Sequence, residues 1–322
     1  MTHDSLLIDQ KIRQCAQAVR GTVLLFPQVD HALKEIDVLH KRGVVGQRAE
    51  CLVLHGVSGS GKTQLLQLYR QRFAPYIAQI VEDDDPARHE SFLKSEVVFV
   101  ETPSPASRTA LIDRIQASLE PDPLWIKMTL GQRRERLIKM LQKAGVQLLI
   151  IDEFQHLFDR RSQRVVQEAA DLIKSLLNAA VCPIVLAGTP DILKVLQEAS
   201  QLKTRMYASP KLSPFSWDDP YDQNLFCSYL VEVERKLAFD EDSNLADLDC
   251  AKRIHYASRG LVGEVARLLI KAADTAIRAG LPRITNECLA AAVDYAWILD
   301  DNMPVNPFRA KSLPARQIEY VA

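Results

Sequence analysis

Apolar and polar positions along this chain follow two rhythms. The first is a short continuous run closed by a turn residue or an acid. Cys51–Leu54 in ECLVLHG, Val97–Val100 in SEVVFVETP, Leu148–Ile151 in VQLLIIDE and Ile184–Ala187 in CPIVLAGTP all follow it. Runs this short and this uniformly apolar predict strands buried on both faces of a sheet. The second rhythm is a three- and four-residue recurrence between those runs. Val29, Leu33, Ile36 and Leu39 mark a helix in VLLFPQVDHALKEIDVLHKR, and Leu130, Leu137, Ile138 and Leu141 mark another in LGQRRERLIKMLQKAG. QLLQLYRQRFA, residues 107–119 and residues 161–180 read the same way, while EDDDPARHE reads as an acidic loop. Strands alternating with helices predict an α/β fold, a parallel sheet with helices on both faces.

The strand pattern stops after FSWDDP. Residues 220–238, 245–258, 261–280 and 286–298 predict helices, hence a small all-α domain. Three prolines in the last 22 residues predict a tail there. The chain therefore divides into an N-terminal arm and helix (1–45), an α/β domain (46–217), a helical domain (218–299) and a flexible tail (300–322). A length of 322 residues agrees with two domains.

Composition narrows the chemistry. With 47 % hydrophobic and 25 % charged residues the chain has ample core material. A net charge of −1 denies it a global basic field, so any nucleic-acid surface must be a local patch. Six cysteines lie scattered with no CxxC pair, which argues against a disulfide framework or zinc site and points to a reducing cytoplasm. No apolar run approaches the length of a membrane span, and MTHDSLLIDQKIRQ lacks the basic start of a signal peptide, so neither a membrane role nor export is expected.

Behind the first strand stands Gly56-Val57-Ser58-Gly59-Ser60-Gly61-Lys62-Thr63, a GxxxxGK[ST] pattern between a strand and a helix. Glycines there let successive N–H groups turn inward on phosphate oxygens, and the helix N-terminus adds its positive end. Lys62 would neutralise the β- and γ-phosphates of a nucleoside triphosphate, and the Thr63 hydroxyl would join the shell of a Mg²⁺ ion. The third strand ends in Asp152-Glu153, at the carboxyl end where open α/β sheets bind ligands. Asp152 suits the metal, and Glu153 suits the water that attacks the γ-phosphate. A small-molecule kinase needs no such second acid; hydrolysis does. Thr189 ends the fourth strand, where it can touch the γ-phosphate or water, or cap the helix that follows Pro190.

With these motifs in place, the sequence resembles the AAA+ ATPases of DNA transposition, the TniB/TnsC group. The resemblance spans about residues 20–300 and rests on GVSGSGKT, VETPSPASRTALIDRI, LLIIDEFQHLF, VLAGTP, KTRM and SRGLVGEVARLLIKAA. It implies a P-loop domain followed by a helical lid, and Mg-dependent ATP hydrolysis. It further implies a ring or filament of copies on double-stranded DNA that recruits a transposase and target-selection proteins. Arg205 matches the family's arginine that reaches into a neighbouring subunit's site. Two positions depart from the pattern: Thr189 replaces an asparagine, and the lid's Gly-x-x-Arg arginine is Ala266, with Arg267 one residue later. For DNA phosphates the resemblance points to Arg108, Lys127 and Thr129. The window Gly131–Arg164, with eight basic residues against four acids, is also the solvated face of a helix. A P-loop switch in signalling or defence, an initiator or helicase loader, and a small-molecule phosphotransferase are the competing readings. The last is disfavoured, since no acceptor-substrate insert is visible.

Overall fold

The computed structural model describes residues 3–22, 26–44, 49–81, 89–120, 128–157, 163–179, 181–198, 200–237, 239–296 and 303–314. In chain order the elements begin with α1 (His3–Arg20), α2 (Pro27–Val44), β1 (Cys51–His55), α3 (Lys62–Arg70), β2 (Tyr76–Val81), β3 (His89–Lys94) and β4 (Val97–Glu101). Then come α4 (Arg108–Leu119), α5 (Leu130–Ala144), β5 (Leu148–Asp152), a 3-10 turn over Phe154–Leu157 and α6 (Gln163–Asn178). They are followed by β6 (Ile184–Gly188), α7 (Asp191–Glu198), α8 (Ser200–Lys203) and β7 (Met206–Ala208). Four helices close the series: α9 (Pro220–Lys236), α10 (Leu248–Ser258), α11 (Val262–Arg278) and α12 (Asn286–Ala296).

These elements form two compact units. One comprises Pro27–Val57 and Lys62–Leu212; the other takes the residues up to Phe26, Ser58–Gly61 and those from Ser213 onward. The first unit is built on a parallel five-stranded sheet of order β4-β5-β6-β1-β7. Each strand alternates between two cores, as the pleat dictates. Cys51, Val53, Leu149, Ile151, Ile184 and Leu186 face α4, α5 and α6. Leu52, Leu54, Leu148, Ile150, Val185 and Ala187 face α2 and α3. Helix α5 is framed by its own sequence. Thr129 and Gln132 form a capping box, and Gly145, at φ 69°, closes the far end in the left-handed conformation.

An antiparallel ribbon, β2 with β3 in the register Tyr76↔Lys94 and Ile77↔Leu93, interrupts the α/β alternation. Sequence pattern does not reveal it, because Tyr76 and Ile77 stand exposed and no core imposes alternation on them. Its anchor is local: Lys94 Nζ donates to the Lys143 carbonyl at 3.0 Å. The acidic stretch 82–88 lies outside the described residues.

In the second unit α1 packs along α11 and α9, so the segment 1–45 is not one arm: α1 belongs here and α2 to the sheet. An Arg278–Asp9 ion pair at 3.4 Å ties α1 to α11. Phe26, Phe215, Trp217, Phe226, Tyr229 and His255 stack edge to face within it. The expected tail is also corrected across residues 303–314. Phe308 is buried, Arg253 Nη1 donates to the carbonyls of Pro307 and Ala310, and Asn286 Nδ2 donates to that of Phe308 at 2.9 Å. Prolines forbid a helix in this stretch, yet side-chain donors from α10 and α12 satisfy its carbonyls instead. Among the described residues no helix is long and apolar enough to cross a membrane.

Candidate functional site

Strand β1 runs directly into the glycine loop, and α3 begins at Lys62. Gly59 (φ 80°) and Gly61 (φ 94°) take left-handed conformations that a side chain would strain, which turns the loop back on itself. Lys62 is buried, and its Nζ donates to the carbonyls of Gly56 at 2.8 Å and Val57 at 3.1 Å. Burial draws the Lys62 ammonium below the usual lysine range, while the Glu153 and Asp152 carboxylates oppose that drift. A buried cation at the start of a helix behind a glycine loop is a place for an anion of several charges. At the loop tip, within the helical unit, the Gly263 N–H donates to the Gly59 carbonyl at 2.9 Å.

Asp152 closes β5 and is fully buried. Thr63 Oγ1 donates to Asp152 Oδ2 at 2.6 Å, and the Glu153 N–H donates to Oδ1 at 2.8 Å. The Asp152 carbonyl accepts both the N–H and the hydroxyl of Thr102, each at 2.9 Å. Burial raises the pKa of this carboxyl above its ordinary value, against the two hydrogen bonds that favour the ionised form. The pair Thr63–Asp152 fits Mg²⁺, which binds one or two carboxylates and completes its shell with phosphates and water. The described residues hold no cluster of three or more His, Cys, Asp or Glu that could hold a metal ion.

Glu153 adopts φ 53°, a left-handed conformation rare outside glycine, directly after the strand. Its Oε2 accepts from Gln155 Nε2 and lies 3.5 Å from His156 Nε2. Gln155 Oε1 in turn accepts the Thr189 N–H at 3.2 Å. Strand β6 lies between β1 and β5, so Thr189, just past its end, stands between the glycine loop and the acid pair. Its carbonyl accepts the Ile192 N–H at 3.0 Å as α7 begins. Gln155 and Thr102 escaped the sequence reading. Gln155 lies inside the DEFQHL run, but its partners become visible only once β5 and β6 are paired.

Other expected residues lie elsewhere. Arg205 sits at the amino end of β7, where its carbonyl accepts the Cys51 N–H, about 16 Å of strand from the glycine loop. Its guanidinium donates to Asn178 Oδ1 at 2.8 Å and the Ala49 carbonyl at 3.3 Å. Arg267 pairs with Glu264 one turn earlier on α11. Thr129 caps α5, and Lys127 lies outside the described residues. Arg133 and Arg136 of the basic window pair with Asp113 and Glu120, which binds α5 to α4. Arg108 begins α4 and lines a cavity of about 210 Å³ with Ile112, Leu130, Arg134, Asp171 and Leu172. Since α4 and α5 run side by side in one direction, both amino ends open toward this cavity.

Comparison with known proteins places this geometry. A family model described as the bacterial TniB protein matches residues 15–216. Solved structures with the same fold include Cdc6p from Pyrobaculum aerophilum, at TM-score 0.62 and 16 % identity over 86 % of this chain and 70 % of that one. The ORC1 protein of Aeropyrum pernix, solved in complex with DNA, has TM-score 0.58 and 16 % identity over 86 % and 68 % of the two chains. The ORC2 protein of the same organism, solved as ADPNP–ADP complexes, has TM-score 0.57 and 15 % identity over 83 % and 67 %. No curated protein matches the sequence. The fold is that of AAA+ P-loop ATPases, with a helical region following the sheet.

Proposed function

This chain belongs to the TniB family, and on that premise we propose that it is a Mg-dependent ATPase that assembles on duplex DNA and regulates transposition. The observation that carries the ATPase reading is the 2.6 Å bond between Thr63, behind the glycine loop, and Asp152, at the end of β5. It joins the two pieces of chain that an ATP–Mg²⁺ site requires. Lys62 would leave its loop carbonyls for the β- and γ-phosphate oxygens. Thr63 and Asp152 would hold Mg²⁺, which neutralises charge on the phosphate chain. Glu153 takes a proton from the attacking water as the bond from the γ-phosphorus to its bridging oxygen breaks. Thr189, between the glycine loop and the acid pair, would touch that water or the γ-phosphate.

Arg205 cannot serve its own loop from the far end of β1, which supports a role at the site of a neighbouring copy, where it would offset charge on the γ-phosphoryl oxygens. That role makes hydrolysis depend on assembly. For DNA, the Arg108–Arg134 cavity at two helix amino ends supports a phosphate-contacting patch, joined in sequence by Lys127 and Thr129. A transposase and target-selection proteins would bind the assembled form, in the cytoplasm.

Two substitutions test the site. Lys62→Ala should abolish ATP binding and ATP-dependent assembly, because the phosphates lose their compensating charge. Glu153→Gln should bind ATP as wild type does and remain assembled, with hydrolysis reduced by about 10²-fold or more. A Glu153→Gln protein that no longer binds ATP would overturn this division of roles.

A further inference from the structure

We infer that Gln155 is the positioning residue for Glu153: it ties the water-activating carboxylate to the end of β6 so that the two are set as one piece. The inference rests on the hydrolytic role proposed for Glu153 and adds a residue that role does not itself require.

The geometry leaves the amide one orientation. The Thr189 N–H can only donate, so the Gln155 atom it meets must be Oε1; the Glu153 carboxylate can only accept, so its partner must be Nε2. One side chain therefore bridges a backbone amide just past β6 and the carboxylate just after β5. Room for this bridge comes from Gly188, the last residue of β6. A Cβ built there falls inside van der Waals distance of Gln155 Oε1, and only 3.4 Å from the Gln155 nitrogen. Gly188 has no left-handed conformation that would itself explain a glycine. The explanation is the amide packed against it.

Glu153 needs such a holder. A non-glycine residue at φ 53° is strained and keeps that conformation only where its surroundings over-determine it. The Gln155 bond and the nearby His156 ring supply that constraint on the carboxylate itself. Gln155 exchanges no proton in hydrolysis. The water proton goes to Glu153, and Gln155 only fixes where that acceptor points.

The test is a double-mutant cycle of Gln155→Ala and Gly188→Ala. The first removes the bridge, and the second pushes the amide out of it while leaving both Gln155 and Glu153 chemically intact. ATP hydrolysis is measured in the assembled protein at saturating ATP, and affinity with a non-hydrolysable ATP analogue. Each single variant should lose about 10- to 100-fold in kcat with affinity unchanged. The double variant should lose no more than either single one, because both act on the same bridge. Undiminished turnover in Gln155→Ala, or losses that multiply in the double variant, would overturn the inference. If Gln155→Ala fails to fold, Gly188→Ala alone decides by the same split between kcat and affinity. A wild type that binds ATP and never turns it over would instead sink the hydrolytic reading on which the inference rests.

Discussion

Burial and the metal-holding role proposed for Asp152 pull its acidity in opposite directions. Full burial favours the neutral acid, whereas holding a cation needs the carboxylate. Its pKa is raised in the folded protein, so the stability it contributes is present below the ordinary value of 3.8 and is lost as pH rises through the folded value. At neutral pH, above the ordinary value, that contribution is diminished and the buried acid is a standing destabilisation. Asp152→Asn, which keeps the shape and both hydrogen-bond partners, should therefore be more stable than wild type toward urea at pH 7. That advantage should vanish near pH 3, and ATP hydrolysis should be lost throughout. Equal stability of the two proteins at pH 7 would contradict the burial argument. At this scale the core of the site was legible in sequence. Lys62, Thr63, Asp152 and Glu153 belong to patterns whose spacing follows from phosphate geometry, and the structure brings them together. Gln155 and Gly188 were not legible, since the reason for each is the other, across two strands far apart in sequence.

Among the elements, legibility tracked burial. All four sheet strands read from sequence are continuous apolar runs, and all four run through the core. What escaped was structure without a continuous buried run or face to shape it: the β2–β3 ribbon, the three-residue, half-buried β7 and the segment 303–314. That segment has no periodicity because single side chains, not a face, hold it. Asn306 Nδ2 donates to the Ala290 carbonyl at 2.8 Å and Arg309 pairs with Asp294 at 2.7 Å, around a buried Phe308. Phe308→Ala should accordingly destabilise the protein by about 3 kcal/mol, read from urea unfolding, a value expected of a core aromatic. A flexible tail would give no measurable change. ATP affinity serves as the control, because this segment's anchors, Arg253 on α10 and Asn286 and Ala290 on α12, are not part of the glycine loop.

For the whole molecule, a net charge of −1 means that any binding of DNA must come from a small patch, repeated by each copy in the proposed assembly. Arg108 and Arg134 share the rim of the cavity between α4, α5 and α6. One or two phosphates held per copy give weak binding, and assembly multiplies it. Affinity for duplex should therefore require ATP, fall steeply with salt as counterions leave the DNA, and depend little on sequence, since groups that hold phosphates position the protein without reading bases. Replacing Arg108 and Arg134 together by alanine should weaken binding on every duplex alike. It should lower the slope of log affinity against log salt by about 0.9 for each phosphate that is no longer neutralised. ATP binding should be untouched, as neither residue approaches the glycine loop or the acid pair in the hydrogen bonds that build them. The measurement is duplex affinity across a salt series, with and without ATP, for wild type and the double variant. If wild type binds with ATP and the double variant keeps the wild-type slope, the patch lies elsewhere and the basic residues of α5 serve only to pair with α4. If wild type itself ignores DNA with ATP bound, the assembly is a nucleotide switch whose partner is a protein, and the transposition reading falls with it.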